Sequence, residues 1–158
     1  MNYKLQEFSH FFYDFDGVMT DNTFLQDENG LESVRLNRAD GFAIDFFKKK
    51  MIKQIILSTE KNKVVLSRSK KLNIECFYGV DNKKIFIEKF IRENINIKKI
   101  CYVGNDLNDL HAMELCHLKI CPFDSAVEIK NISDYITQQK GGEGVIRNLM
   151  DIFKWANI

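Results

Sequence analysis

The sequence predicts an α/β protein built on a doubly wound, mostly parallel sheet with a β-hairpin flap beside its first strand. Three observations carry this reading. Short apolar runs alternate with segments of helical period along the chain, the pattern of repeated strand-helix crossovers. The first apolar run is nearly continuous, as in a strand covered on both faces. The 158 residues, 45% hydrophobic and 28% charged, suit one compact domain over 1–158.

Taken in order, the first strand is aromatic-rich and ends at Asp14, before the turn Phe15-Asp16-Gly17. Phe24-Leu25 and the run 31–36 then flank a segment ending in Asn29-Gly30, a strong hairpin signal. A helix is expected over about 41–50, a strand over 54–58 and a helix over 62–72. A short strand at 76–78 precedes a helix over 82–94 that carries Phe86 and Phe90 on one face. The strand 100–103 runs into Gly104-Asn105-Asp106-Leu107-Asn108-Asp109, followed by a helix over 109–116 and a strand over 118–121. An amphipathic helix bearing Val145, Leu149, Ile152, Phe153 and Ala156 closes the chain.

Composition excludes several classes of function. A net charge of +1 marks neither a nucleic-acid nor a membrane surface, and Lys48-Lys49-Lys50 reads as the last turn of a helix. No stretch approaches the ~20 apolar residues that span a bilayer. The N-terminal segment lacks the apolar core of a secretory signal, so a cytoplasmic location is expected. Cys76, Cys101, Cys116 and Cys121 form no C-x-x-C pair and lie in or beside apolar runs, as reduced thiols do. The His and Cys residues of 111–121 match no common zinc spacing.

Four strand ends carry polar groups: Asp14 and Asp16, then Ser58-Thr59-Glu60, then Lys83, then Asp106 and Asp109. In a doubly wound sheet such ends share one rim, where ligands bind. Each has a plainer role when read alone. Asp-x-Asp-Gly fits an Asx-type turn, Ser58 or Thr59 fits a helix N-cap, and Asp106 or Asp109 suits the start of the next helix. Lys83 is one of the pair Lys83-Lys84, and Lys84 is its rival.

Together they suit phosphoryl transfer. Clustered carboxylates call for a divalent cation, and Mg²⁺ takes a few carboxylates plus a substrate phosphate. Asp14 is the candidate nucleophile and Asp16 the acid and base. Ser58 and Lys83 are placed to meet the oxygens of the transferring group.

These residues resemble the four ordered motifs of the haloacid dehalogenase superfamily of phosphatases: 14–21, Ser58, Lys83 and 104–109. The resemblance implies a Rossmann-like fold, an aspartyl-phosphate on Asp14, and Mg²⁺ held by Asp14, the Asp16 carbonyl and Asp106, with Asp109 in support. No cap-sized insertion separates the motifs. That absence, with the segments 34–41, 57–62 and 141–147, is similar to the capless branch acting on keto-deoxy sugar acid phosphates. Such proteins are usually homotetramers joined through their hairpins, which implies that Arg147 and the Gly-rich tail reach a neighbouring site.

Within that branch Ser58-Thr59-Glu60 resembles nonulosonate 9-phosphate phosphatases, with Glu60, Arg68 and Lys71 as substrate-recognition positions. Octulosonate 8-phosphate phosphatases typically show Thr-Gly-Arg there. Read from the residues alone, Arg68 and Lys71 are exposed members of an amphipathic helix. The leading expectation is therefore a sialic-acid-type 9-phosphate as substrate, with the octulosonate 8-phosphate as alternative. A third reading, of another class, is a non-catalytic oligomerisation module related to the domain fused to some CMP-sialic acid synthetases.

Overall fold

The computed structural model describes residues 4–155. Ala156, assigned above to the closing helix, lies outside the described residues, as do residues 1–3 of the N-terminal segment. After a single 3-10 turn at Leu5–Glu7, the strands are β1 (Phe8–Tyr13), β2 (Leu25–Gln26), β3 (Glu32–Ser33), β4 (Lys53–Leu57), β5 (Glu75–Phe77), β6 (Lys99–Val103), β7 (Leu118–Cys121) and β8 (Tyr135–Ile136). The helices are α1 (Ala39–Lys49), α2 (Lys63–Leu72), α3 (Lys83–Glu93), α4 (Leu107–Glu114), α5 (Val127–Ile132) and α6 (Val145–Trp155).

Six strands form one parallel sheet in the order β5-β4-β1-β6-β7-β8, and β2-β3 stands apart as an antiparallel hairpin. The expected α/β architecture is thus present, hairpin included. The chain winds from β1 outward through β4 to β5, then returns across the sheet to β6. Connections therefore diverge on either side of β1 and β6, and a crevice opens at their carboxyl ends.

β1 is central and covered on both faces. Phe11 and Tyr13 point into a core with α1, α2 and α6, whereas Phe12 points into a second core with α3, α4 and α5. Phe11 stacks on Phe153 with ring centroids 5.5 Å apart, and Phe12 meets Phe90 edge-on at 5.1 Å. Two aromatic anchors thus fix the strand that delivers Asp14. All four cysteines are free thiols, three of them buried.

Helix starts depart from the sequence reading where a side chain caps them. α4 begins at Leu107 because Asp106 is its N-cap and Asp109 completes a capping box. Asn62 and Asn82 cap α2 and α3 through Val64 N and Ile85 N. Helix α5 and strand β8 were not anticipated, being too short, at six and two residues, to show a period. Among the described residues no helix is long and apolar enough to cross a membrane.

Candidate functional site

β1 ends at Asp14, whose backbone N–H is held by the Val103 carbonyl at 2.9 Å, so β6 fixes where this carboxylate emerges. Gly17 then turns the chain with φ of +80°, and a Cβ there would stand 1.9 Å from Asn105 Nδ2. Glycine is required both for the turn and for the approach of Asn105. Thr20 closes the loop: its hydroxyl donates to Asp16 Oδ1 at 3.1 Å while accepting from Gly17 N and Asn22 N.

Asp14 is almost fully buried. Its Oδ1 accepts from Phe15 N at 2.8 Å and meets Lys83 Nζ at 2.7 Å. Burial, with Asp109 adding to it, pushes the Asp14 pKa well above the ordinary carboxylate value, and Lys83 opposes this. Burial also works against the Lys83 charge, but Asp14 and Asp109 outweigh it and raise the lysine pKa. Lys83 is the first residue of α3, whereas Lys84 is exposed and pairs with Glu88. The choice between the two lysines is thereby resolved geometrically.

Behind Lys83 lies a closed polar chain. Asp109 Oδ1 accepts from Lys83 Nζ at 2.7 Å and from Tyr102 Oη at 2.8 Å, and Asp109 Oδ2 accepts from Asn105 N at 2.9 Å. Asp109, Lys83 and Tyr102 are all fully buried. Asp16 is half-buried, and its pKa is raised chiefly by burial, with the Thr20 hydrogen bond opposing and Glu60 adding to the rise.

The Asn105 carboxamide lies against Asp14 Oδ2 and the Asp16 carbonyl. With its amino group toward them, it donates to both, at 3.1 and 2.9 Å. Turned the other way, the same carboxamide adds its oxygen to theirs. A carboxylate, a backbone carbonyl and an amide oxygen make a hard-oxygen set that fits Mg²⁺. Among the described residues no three His, Cys, Asp or Glu side chains form a metal cluster, and this mixed set needs none.

A cavity of about 340 Å³ opens above these groups, lined by Asp14, Asp16, Ser58, Glu60, Asn105 and Asp106 among others. Ser58 is buried at the end of β4, and its Oγ accepts from Glu60 N at 3.1 Å. Asp14, Asp16, Ser58, Glu60 and Asp106 are therefore brought together as expected.

The remaining candidates are placed as follows. Asp106 is exposed and its Oδ1 accepts from Leu107 N at 2.7 Å, so it caps α4 on the cavity wall while Asn105 faces Asp14 and Asp16. Lys83 supports Asp14 from beneath instead of lining the cavity. Arg68 is buried, donating to the Asn37 carbonyl at 2.8 Å, and Lys71 is exposed at the far end of α2; neither lines the cavity. Arg147 sits on α6, with its backbone N–H on Asp40 Oδ1 at 3.0 Å and its guanidinium on Asp151.

Sequence reasoning missed Asn105, Thr20 and Tyr102. Asn105 carries no charge to mark it beside Asp106, and Thr20 reads as an ordinary residue of the turn. Nothing in the sequence pattern distinguishes Tyr102 from other strand aromatics.

Comparison with known proteins bears on this geometry. The family model for haloacid dehalogenase-like hydrolases matches residues 6–149. A 3-deoxy-D-manno-octulosonate 8-phosphate phosphatase of Escherichia coli (strain K12) is 30% identical over 145 residues, covering 90% of this chain and 77% of its own. The Moraxella catarrhalis enzyme of that name, solved with magnesium, phosphate and a KDO molecule, is 25% identical with a TM-score of 0.89, the match covering 96% of this chain and 88% of the other. The Haemophilus influenzae enzyme in its cobalt-bound form is also 25% identical with a TM-score of 0.89, at 98% and 91% coverage.

Proposed function

The chain belongs to the haloacid dehalogenase-like hydrolase family and is a phosphatase, and from that premise we propose that it removes the terminal phosphate of a keto-deoxy sugar acid with the help of Mg²⁺. The observation that carries the reading is the convergence of Asp14, Asp16, Ser58 and Asn105 on one cavity, with Lys83 locked beneath Asp14. The reading takes residues 1–158 as one domain.

In this mechanism an Asp14 oxygen attacks phosphorus as the nucleophile. Lys83 and the Phe15 N–H orient the carboxylate. Asp16, whose pKa is also raised, gives its proton to the leaving alkoxide and then takes one from the water that cleaves the aspartyl-phosphate. Thr20 holds Asp16 in position for both transfers. Ser58 presents its hydroxyl to a phosphoryl oxygen. Asp14, the Asp16 carbonyl and Asn105 would hold a Mg²⁺ ion, which would neutralise charge on the transferring group.

The named relatives favour an octulosonate 8-phosphate as substrate, the alternative rather than the leading expectation of the sequence reading. One observation keeps the nonulosonate 9-phosphate in view: Glu60 stands on the cavity rim where octulosonate 8-phosphate phosphatases typically have arginine. The non-catalytic reading has less support, since Asp14 and Asp16 are both present and held in place. The outward hairpin, with Phe24, Leu25 and Leu31 exposed, supports assembly as a homotetramer through these flaps.

Phosphate release from the two sugar acid phosphates, measured side by side, tests the reading. Turnover of either, abolished by Asp14→Asn and by chelation, is the expected result. Turnover that survives Asp14→Asn removes the covalent mechanism.

A further inference from the structure

The amino ends of the strands, opposite the reaction cavity, border a cavity of their own. It encloses about 450 Å³, within the range of small-molecule sites, and shares no lining residue with the reaction cavity. It lies where Ser9 and His10 begin β1, Lys53 begins β4 and the segment 93–97 leaves α3.

His10 is 6% exposed, with its ring edge-on to Phe90 at 5.3 Å. Its Nδ1 lies 2.8 Å from Ser9 Oγ, and that oxygen accepts from Lys98 N at 2.9 Å. The one hydroxyl proton, given to Nδ1, satisfies both side chains and puts the ring hydrogen on Nε2. Nε2 is buried and has no partner among the described residues, so the cavity wall holds a donor open to an acceptor from outside the chain. Lys53 is the register partner of His10 on β4, and its side chain therefore rises from the same face of the sheet. None of the ion pairs among the described residues involves it. Glu93 also borders the cavity, but its carboxylate is paired with Lys89 at 3.9 Å. Burial, with the Lys53 charge adding to it, holds the His10 pKa below the ordinary histidine value, so the ring is neutral near pH 7. Met51 and Ile95, 87% and 95% exposed, bring large apolar side chains to the same cavity.

We propose that this cavity binds a small monocarboxylic acid with an apolar body, at a site separate from the reaction cavity. One carboxylate oxygen accepts from His10 Nε2–H, and the Lys53 ammonium meets the charge. The hydrocarbon body covers Met51 and Ile95. A polyhydroxylated anion leaves those side chains in water, and an uncharged hydrocarbon leaves Nε2–H without an acceptor.

The test titrates the protein with 4-phenylbutyrate, with the isosteric 4-phenylbutanol and with acetate. Only three histidines are present, His10, His111 and His117, so imidazole nitrogen resonances report on the site directly. Saturable movement of the His10 Nε2 resonance by 4-phenylbutyrate, with His111 and His117 unmoved, is the expected result. The alcohol and acetate are each expected to bind about tenfold more weakly, since each lacks one half of the recognition. His10→Phe, which keeps a ring against Phe90, and Lys53→Met are expected to weaken the acid about tenfold in calorimetric titrations. Lys53→Met changes an exposed residue and carries the test even where His10→Phe fails to fold.

An alcohol that binds as tightly as the acid shows an apolar cleft without anion recognition and overturns the inference. A His10 resonance that 4-phenylbutyrate leaves unmoved overturns it, as does an affinity that Lys53→Met leaves unchanged. None of these results bears on the phosphatase reading, whose residues gather at the other end of the sheet.

Discussion

Lys83 Nζ lies 2.7 Å from Asp109 Oδ1 and also 2.7 Å from Asp14 Oδ1, so one ammonium with no solvent exposure serves two carboxylates, one at the end of β1 and one in the first turn of α4. Replacing it strands both. Lys83→Met is expected to cost about 3–5 kcal/mol of stability at neutral pH, as breaking buried pairs does. Because Asp14 has a raised folded-state pKa, its contribution is present below the unfolded value and lost as pH rises through the folded one. The variant's melting temperature, measured with chelator present, should therefore be highest in mild acid and fall toward pH 7.

Asn105 makes a different prediction, read from metal dependence. Asn105→Ala removes a side chain that faces both Asp14 Oδ2 and the Asp16 carbonyl. The Mg²⁺ concentration for half-maximal turnover should rise by about tenfold or more, the loss typical even for groups that only orient metal ligands. Asp106→Ala should leave that midpoint near wild type and lower stability by about 1 kcal/mol through loss of the α4 cap. A Mg²⁺ titration of kcat for both variants distinguishes the two positions.

Asp40 links the start of α1 to the start of α6 and is buried, its Oδ1 accepting from Arg147 N at 3.0 Å. Burial raises its pKa from 3.8 to about 6, with the Arg147 N–H and the Arg68 charge opposing. The stability it confers is complete below about pH 3.8 and lost as pH rises through about 6. At most about 3 kcal/mol is involved. Asp40→Asn should therefore gain on wild type between pH 4 and pH 7 in urea denaturation. A stability difference independent of pH would show that Asp40 is ionised throughout.

Gly141 packs against the turn that carries Asp16. A Cβ there would stand 2.3 Å from the Gly17 carbonyl oxygen and 2.8 Å from that of Thr20, both backbone atoms that cannot swing aside. Gly141→Ala should displace the turn, lowering stability by about 1–3 kcal/mol and kcat with it. Gly30→Ala is the contrasting substitution: its Cβ meets only Gln26 Nε2, at 4.0 Å, although its positive φ adds strain. Turnover by Gly30→Ala should stay near wild type.

Much of the fold was legible because its strands are two-sided and apolar. β7 falls at the residues expected, 118–121, and β4 and β6 each begin one residue earlier than read. What escaped was set by local or distant partners. Helix α4 starts early because Asp106 caps it, and α5 and β8 are too short to display a period. At the site, Asp14, Asp16 and Ser58 follow from strand ends alone. The exchange of Asp106 for Asn105 does not, since two adjacent residues after one strand face opposite ways and only the fold decides which turns inward. Read from the residues alone, Arg68 falls on an exposed helix face, yet α2 buries it against the Asn37 carbonyl.

The order in which the sheet is laid down carries a consequence for biosynthesis. β1 precedes the other strands of the sheet along the chain yet lies in its interior, and its neighbours β4 and β6 begin only at Lys53 and Lys99. A nascent chain therefore carries Phe11, Phe12 and Tyr13 without a full pair of lateral partners until β6 has been made. The Gly141–Gly142 loop that seats the Asp16 turn arrives later still. Ribosome-bound chains stalled before residue 141 should hold the carboxylates but not the turnover, so competence waits for the loop at Gly141–Gly142.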